Sequence, residues 1–149
     1  MKKILIINGP NLNLLGNREK KFYGETTLEK IELLCLQHCK KNEVGCEFFQ
    51  SNHEGDLIEK IHSVEKDFDG IIINPAAFTH TSIALLDALR STSKPKLEIH
   101  ISNIYAREDY RRKSITSEAV HGVICGFGEY SYVLAIDAIK KLIYSDNIW

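Results

Sequence analysis

The feature that most limits the possible folds is a run of apolar residues in the middle of the chain, Gly70 to Asn74 (GIIIN). A strand that is apolar on both faces is typical of the centre of a parallel sheet, which helices cover on both sides. Four more short strand patterns occur along the chain. The five predicted strands are Lys3 to Asn8, Gly45 to Ser51, Gly70 to Asn74, Lys96 to Ser102 and His121 to Gly126.

Stretches with apolar residues at helical spacing alternate with these strands. The first opens at Thr26-Thr27-Leu28-Glu29, which has the pattern of a capping box, and continues to about Lys41. The other predicted helices are Glu54 to Phe68, Thr81 to Ser91 and Tyr130 to Tyr144. This alternation, without an internal repeat or linker, predicts an α/β fold with one doubly wound, five-stranded parallel sheet.

Length and charge narrow the range of functions. The 149 residues match a single domain that can bury a core without disulfides or a structural metal. A net charge of -1 favours neither nucleic acid nor a membrane surface as a partner, so we expect a small molecule. The apolar run before Asn8 is far shorter than that of a signal peptide, and no apolar stretch approaches bilayer length. We therefore expect a cytosolic protein.

The cysteines do not form a recognisable metal or redox motif, because none of them has Cys-x-x-Cys spacing. Cys35 and Cys39 stand four residues apart on one predicted helix, a spacing at which two thiols could coordinate one metal ion. No histidine or acidic residue provides the further ligands that such a site needs. We therefore expect buried thiols and no metal site. The four residues are Cys35, Cys39, Cys46 and Cys125.

Polar residues follow four of the five predicted strands. Doubly wound sheets bind ligands beyond the carboxyl ends of their strands. Each such residue alone could be a turn former, but together they predict a site for a hydroxylated, carboxylated ligand. His38 and His62 lie inside predicted helices, where we expect them at the surface, and His121 begins a strand, so all three are excluded from the site. The polar strand-end residues are Asn8, Asn11 and Asn13; Ser51, Asn52 and His53; Asn74 and His80; and His100, Ser102 and Asn103.

Two pairs of residues suggest acid–base chemistry. Arg18 and Tyr23 lie close together in the glycine-bounded polar segment after the first strand, where a guanidinium can stabilise a phenolate that acts as a base. Glu98 and His100 share one face of the fourth strand, where a carboxylate can orient an imidazole and stabilise its protonated form. This arrangement would make His100 suitable as a general acid. The alternative interpretation is that the two residues are only a polar pair on an edge strand.

A basic cluster follows the fourth strand. We interpret it as mostly a solvated face, from which one arginine could hydrogen-bond an anionic or hydroxylated ligand. Its members are Arg107, Arg111, Arg112 and Lys113.

Several long motifs closely resemble the type II 3-dehydroquinate dehydratases of the shikimate pathway, in order and almost from end to end. They are NGPNLNLLG, the Arg-x-x-x-x-Tyr-Gly pattern of Arg18 to Gly24, QSNHEGDLI, NPAAFTHTS, EIHISN and the GFG before the last helix. The resemblance implies a single domain over residues 1–149 with a flavodoxin-like fold of three α/β/α layers. It also implies a homododecamer of four trimers, and no cofactor or metal.

The resemblance implies a hydro-lyase that converts 3-dehydroquinate to 3-dehydroshikimate by anti elimination through an enolate, on the route to chorismate and the aromatic amino acids. Its implied catalytic residues are Tyr23 as base, Arg18 as the phenolate's partner, Asn11 as the holder of a water at the enolate oxygen, and His100 as acid. The substrate carboxylate would contact Asn74 and the backbone of Ile101 and Ser102. The ring hydroxyls would contact His80, Arg111 and, from a neighbouring subunit, Asp87.

Two residues depart from the family pattern. Lys20 stands two residues after Arg18, where the family usually has proline, so the segment is expected to be a more mobile lid. Leu86 stands before Asp87, where the family commonly has arginine, so the implied subunit contact lacks that charge.

Other classes of protein fit the residues less well. A flavodoxin-like electron carrier needs a Ser/Thr/Gly phosphate cradle after the first strand, and a signalling receiver domain needs aspartate at Asn74. A Schiff-base mechanism, as in the unrelated type I enzymes, needs a pocket lysine, and no lysine ends a predicted strand. An inactive interaction module would not need Arg18, Tyr23 and His100 together.

Overall fold

The predicted alternation of strands and helices is confirmed. The computed structural model describes residues 1–145, so residues 146–149 of the predicted domain lie outside the described part. The strands are β1 Lys3–Asn8, β2 Gly45–Gln50, β3 Gly70–Asn74, β4 Lys96–His100 and β5 Gly122–Cys125. The helices are α1 Lys20–Tyr23, α2 Leu28–Lys41, α3 Glu54–His62, α4 Val64–Asp67, α5 Ile83–Arg90 and α6 Tyr130–Tyr144.

All the strands pair in parallel, in the order β2-β1-β3-β4-β5. The chain moves from β1 to one side to form β2 and then crosses to the other side for β3, so the order reverses between β1 and β3. Ligands bind such sheets beyond the carboxyl ends at this reversal. The residues that end the two strands, Asn8 and Asn74, are direct register partners there.

Helices cover both faces of the sheet, which confirms the three-layer α/β/α arrangement. Side chains of the central strand β3 alternate between two apolar cores, and Ile71, Ile72 and Ile73 are fully buried. One core lies under α2 and α6, and the other under α3 and α5. The all-apolar sequence of β3 is therefore explained by burial on both faces.

The start of α2 differs from the expected capping box. Thr27, in extended conformation, is the N-cap, and its hydroxyl accepts a hydrogen bond of 3.2 Å from the Lys30 N–H. The Thr26 hydroxyl instead donates to Glu129 over 2.7 Å. The capping box from Thr26 to Glu29 is therefore wrong by one residue, although the hydroxyl cap itself is present.

Five other elements are shorter than expected, and two of them, β2 and β5, lose only one residue at an end or at each end. The predicted helix from Glu54 to Phe68 divides into α3 and α4 at Ser63, whose hydroxyl donates to the Lys60 carbonyl over 2.7 Å. The helix predicted from Thr81 starts after Ser82, which caps it through its hydroxyl. The fourth strand ends at His100 rather than Ser102.

The histidines and cysteines outside the strand ends follow the expectations in part. His62 is exposed, but His38 is half-buried, with its Nε2 2.6 Å from Asp137 on α6. Cys35 and Cys39 are buried, and burial raises the pKa of Cys35 to about 12. Cys46 and Cys125 are only partly buried. Among residues 1–145, no helix is long and apolar enough to cross a bilayer.

Candidate active site

A small cavity lies at the carboxyl edge of the sheet, beside the reversal of strand order. Nine of the residues expected at the site line it. They are Asn11, Arg18, Tyr23, Asn74, His80, His100, Ile101, Ser102 and Arg111. Of the other expected residues, Glu98 is fully buried behind the cavity and Asp87 is exposed on α5. Residues from positions 11 to 111 thus meet at one edge because parallel strands end there together.

Tyr23 ends the short helix α1 and is almost fully buried. Its phenol oxygen accepts a hydrogen bond of 2.9 Å from Arg18 Nη2. The Arg18 guanidinium also lies 3.8 Å from the centre of the Tyr23 ring. The expected pairing of these two residues is therefore present.

Arg107 is a second cation at the same oxygen, and sequence reasoning did not single it out. Its Nη1 donates to the Tyr23 phenol oxygen over 2.8 Å. Its side chain is only 6% exposed, and its guanidinium stacks 4.0 Å from the centre of the Phe22 ring. It is therefore not part of a solvated face. The only signal in the sequence is its place in the loop after β4, which also contains the exposed Arg112.

His100 and Glu98 contact each other directly on β4. His100 Nε2 lies 2.8 Å from Glu98 Oε2, and both side chains are buried. Because a carboxylate only accepts hydrogen bonds, Nε2 carries the proton and Nδ1 is the nitrogen available to a ligand. β4 lies between β3 and β5, so the alternative of a polar pair on an edge strand is wrong.

Three hydroxyl groups surround the Glu98 carboxylate. Thr79 and Ser114 donate to Oε2 over 3.0 Å and 2.9 Å, and Thr116 donates to Oε1. Burial raises the pKa of Glu98, but hydrogen bonds from His100, Thr116 and Ser114 outweigh it and hold that pKa below the usual value. Glu98 is therefore a carboxylate at neutral pH. No strand-end pattern pointed to these hydroxyls.

Asn74 is held on two sides. Its Oδ1 accepts a hydrogen bond of 3.1 Å from the Ala76 N–H, and its Nδ2 donates to the Tyr132 hydroxyl over 3.1 Å. One hydrogen of Nδ2 remains for a ligand. Ile101 and Ser102, which directly follow β4, line the cavity beside it.

His80 and Arg111 line the side of the cavity nearest the loop after β4. His80 Nδ1 lies 2.7 Å from the Lys113 carbonyl, so this nitrogen carries the proton. Burial lowers the pKa of His80, which keeps the ring neutral near pH 7 and leaves Nε2 as an acceptor. Arg111 Nε lies 3.0 Å from Glu108.

Asn11 lines the cavity, whereas Asp87 lies outside it. Asn11 adopts a left-handed conformation with φ of 67°, which asparagine tolerates better than most residues. Its N–H donates to Asn52 Oδ1 over 2.9 Å. Asp87 does not line the cavity of its own chain. Leu86 beside it is buried.

Several polar strand-end residues are turn formers rather than lining residues of the cavity. The Ser51 hydroxyl contacts Asp56 at 3.0 Å at the start of α3. Asn103 Oδ1 accepts a hydrogen bond of 3.1 Å from the Tyr105 N–H. Asn13 and His53 are exposed. For Ser51 and Asn103 the turn interpretation is correct.

Comparison with known proteins identifies the family. Residues 2–140 match the family model described as Dehydroquinase class II. The chain belongs to the type II dehydroquinase family. The 3-dehydroquinate dehydratase of Clostridium botulinum (strain Langeland) is 54% identical to it over 149 residues, which cover 99% of this chain and 98% of that protein. That of Thermoanaerobacter pseudethanolicus is 53% identical over 142 residues, which cover 95% and 96%.

The type II dehydroquinase fold is also found in the solved structures. The crystal structure of the type II dehydroquinase from Butyrivibrio crossotus has a TM-score of 0.92 and 46% identity, and the match covers 93% of this chain and 97% of that one. The predicted flavodoxin-like fold and the family resemblance are therefore both confirmed.

Proposed function

We propose that this protein is a hydro-lyase that converts 3-dehydroquinate to 3-dehydroshikimate in the shikimate pathway, which leads to chorismate and the aromatic amino acids. Membership of the type II dehydroquinase family supports this reaction. The observation that carries the mechanism is the phenol oxygen of Tyr23, to which Arg18 and Arg107 both donate.

The first step is removal of a proton next to the substrate ketone. Tyr23 acts as a phenolate base, because two guanidinium groups stabilise negative charge on its oxygen. The electrons left on carbon move onto the ketone oxygen and form an enolate. Asn11, which lines the cavity, holds a water molecule against that oxygen and stabilises its charge.

The second step is loss of the hydroxyl group on the carbon β to the ketone. The enolate electrons form the new carbon–carbon double bond as the carbon–oxygen bond breaks, and His100 donates the proton that turns the departing hydroxyl into water. Glu98 stabilises the imidazolium that this step requires, and its hydroxyl partners hold it in place. Base and acid act on opposite faces of the ring, as anti elimination needs.

The remaining lining residues hold the substrate. Its carboxylate contacts the free Nδ2 hydrogen of Asn74 and the backbone N–H groups of Ile101 and Ser102. Its ring hydroxyls contact His80 Nε2, which accepts, and Arg111, which donates.

Asp87 of the partner subunit completes the hydroxyl site. Support for this comes from the position of Asp87 on the exposed face of α5, outside the cavity of its own chain. The proposed assembly is a homododecamer of four trimers, which acts in the cytoplasm, as the sequence analysis favours. Sedimentation of the purified protein tests the assembly.

A Schiff-base mechanism fits this site less well. It requires a desolvated lysine that can reach the ketone, and none of the residues that line the described cavity is a lysine. The enolate route uses only the groups already at the cavity and requires no cofactor or metal.

The reaction is tested by adding 3-dehydroquinate to the purified protein and following the absorbance of the conjugated enone product. We expect absorbance to rise with wild-type protein and to rise far more slowly with Tyr23→Phe, whose fold is checked by circular dichroism. No enone from the wild-type protein would refute the proposed reaction. Equal rates for the two proteins would refute only the role of Tyr23.

A further inference from the structure

A buried chain of hydrogen bonds connects α6 to the cavity. Asn74 Nδ2 donates to the Tyr132 hydroxyl over 3.1 Å, and that hydroxyl donates to Asn8 Oδ1 over 2.5 Å. Tyr132 and Asn8 are fully buried, and Asn74 is 3% exposed. The two asparagines end adjacent strands in register, and a hydrogen bond of 2.8 Å from the Gly9 N–H to the Asn74 carbonyl holds the strand ends together.

The direction of every hydrogen bond in this chain is fixed. The Ala76 N–H can only donate, so the Asn74 atom facing it must be Oδ1. Nδ2 then faces Tyr132, whose oxygen accepts one of its hydrogens. The Tyr132 hydroxyl therefore directs its own hydrogen to Asn8. Burial raises the pKa of Tyr132, so the hydroxyl keeps that hydrogen.

Asn8 provides a second, independent observation. Its Nδ2 is buried and has no hydrogen-bond partner among the described residues. A buried N–H without a partner is unfavourable. The stabilising contact of the Asn8 side chain is therefore the hydrogen bond that its oxygen accepts. An aspartate would offer the same acceptor, but it would bury a charge at this position. Asparagine at position 8 is therefore explained by the need for an uncharged acceptor for the Tyr132 hydroxyl.

We propose that Tyr132 is a positioning residue that makes the cavity selective for a carboxylate over a neutral group. This inference rests on the proposed function, in which Asn74 contacts the substrate carboxylate. The Tyr132 oxygen holds the Asn74 amide with its remaining Nδ2 hydrogen available to the ligand. Without the Tyr132 oxygen, only the Ala76 N–H opposes the other amide orientation, which would present Oδ1 to the ligand. That oxygen repels a carboxylate and accepts a hydrogen bond from a carboxamide.

The test measures the affinity of two ligands by calorimetry: quinate, which is 3-dehydroquinate with its ketone reduced, and the carboxamide of quinate. Tyr132→Phe removes only the hydroxyl. Tyr144→Phe is the matched control, because Tyr144 is exposed at the other end of α6. We expect Tyr132→Phe to weaken quinate binding about tenfold and Tyr144→Phe to change it less than about twofold. The affinity of Tyr132→Phe for the carboxamide is expected to hold or increase.

The kinetic expectation is a rise in KM for 3-dehydroquinate with little change in kcat, since Tyr132 does not touch the reacting atoms. Equal weakening of quinate and its carboxamide would indicate a merely structural role and overturn the inference, as would unchanged quinate binding. If Tyr132→Phe does not fold, Asn8→Ala removes the other end of the chain and is expected to change the same ligand preference.

Asn74→Ala separates this inference from the proposed function. If this variant binds quinate as well as wild type does, then Asn74 does not hold the carboxylate and the proposed contact is wrong. If Asn74→Ala loses quinate affinity and Tyr132→Phe does not, then the contact stands and only the role of Tyr132 is refuted.

Discussion

Arg107 Nη1 donates to the phenol oxygen of Tyr23 over 2.8 Å, although 84 residues separate the two along the chain. Arg18 donates to the same oxygen over 2.9 Å, so the proposed phenolate base would have two cationic donors. We expect Arg107→Gln to lower kcat about 10²-fold, as removal of one charge-stabilising donor does elsewhere.

The control for this variant is Arg112→Gln. Arg112 lies in the same loop, is half exposed, and pairs with Asp109 at the surface. We expect its kcat to remain close to that of wild type. Steady-state rates for both variants, with circular dichroism to check the fold, test the assignment. Equal rates would show that Arg107 is only a structural contact.

The second prediction concerns stability and pH. The pKa of Glu98 in the folded protein lies below its usual value of 4.5. The stability that this carboxylate provides is therefore fully present above the unfolded-state pKa and is lost as the pH falls through the folded-state pKa. We expect Glu98→Gln to lower the free energy of unfolding by about 1–3 kcal/mol at pH 7. As the pH falls, the free energy of unfolding should decrease less in this variant than in wild type.

Urea unfolding at several pH values measures both effects. Glu59→Gln is the control, because Glu59 is exposed on α3. A Glu98→Gln curve parallel to that of wild type would contradict an ionised Glu98 in the folded protein.

The third prediction concerns the contribution of Asp87 of the partner subunit. Tyr23→Phe and Asp87→Ala proteins are each expected to be nearly inactive. After the two are unfolded together and refolded in equal amounts, about a quarter of the sites should have an intact Tyr23 and an intact Asp87 of the partner subunit. Activity should therefore recover in the mixture. No recovery, in a mixture that sedimentation shows to be assembled, would mean that Asp87 acts within its own chain or not at all.

The fourth prediction concerns the segment between Gly16 and Gly24. Both glycines have positive φ, 98° and 69°, which most side chains disfavour, so they are suited to hinges. Lys20 and Lys21 between them are exposed. We expect trypsin to cut after Lys21 in the free protein, and saturating quinate to slow this cut without slowing cuts elsewhere. Equal cleavage with and without quinate would show that this segment is not a lid closed by ligand.

Lys20→Pro provides a matched variant for that experiment. Lys20 is the first residue of α1, where proline is favoured, and Glu19 before it has ψ of 106°, which suits a residue that precedes proline. The substitution should restrict the backbone and slow the cut after Lys21 even without ligand. Faster cutting would mean that Lys20 does not loosen the lid.

The fifth prediction follows from the absence of lysine among the residues lining the described cavity. An enolate mechanism forms no covalent bond between protein and substrate, so borohydride added during turnover should neither inactivate the protein nor raise its mass. A stable reduced adduct, detected by mass spectrometry, would contradict the mechanism.

The sequence was sufficient for the fold because its signals are local. The apolar run Gly70 to Asn74 predicted a central strand, and both faces of β3 are buried. The strand-end rule then located five of the cavity-lining residues, which are Asn11, Asn74, His80, His100 and Ser102. Arg107 was missed because its partner is far away in sequence, and because its loop also contains an exposed arginine, Arg112. The hydroxyls around Glu98 were missed because serine and threonine are equally common in ordinary turns.

Predictions that depended on a single residue were less accurate than those that depended on a pattern. The cap of α2 was expected one residue early because both Thr26 and Thr27 can supply a hydroxyl, and the sequence does not reveal that Glu129 binds the first of them. The expected surface position of His38 failed for the same reason, since its partner Asp137 lies on α6. Long-range contacts decide between locally equivalent choices.

The strand order β2-β1-β3-β4-β5 also has a consequence for folding. Contacts between distant parts of a chain form late, because closing a long loop loses entropy before the contact is made. We therefore expect the bond between Tyr23 and Arg107 to form only after β4 has joined β3. A chain that has made only its first helices and strands therefore contains the tyrosine without the second arginine. During refolding, activity should return only as the far half of the sheet docks, which makes turnover a reporter of the finished native state.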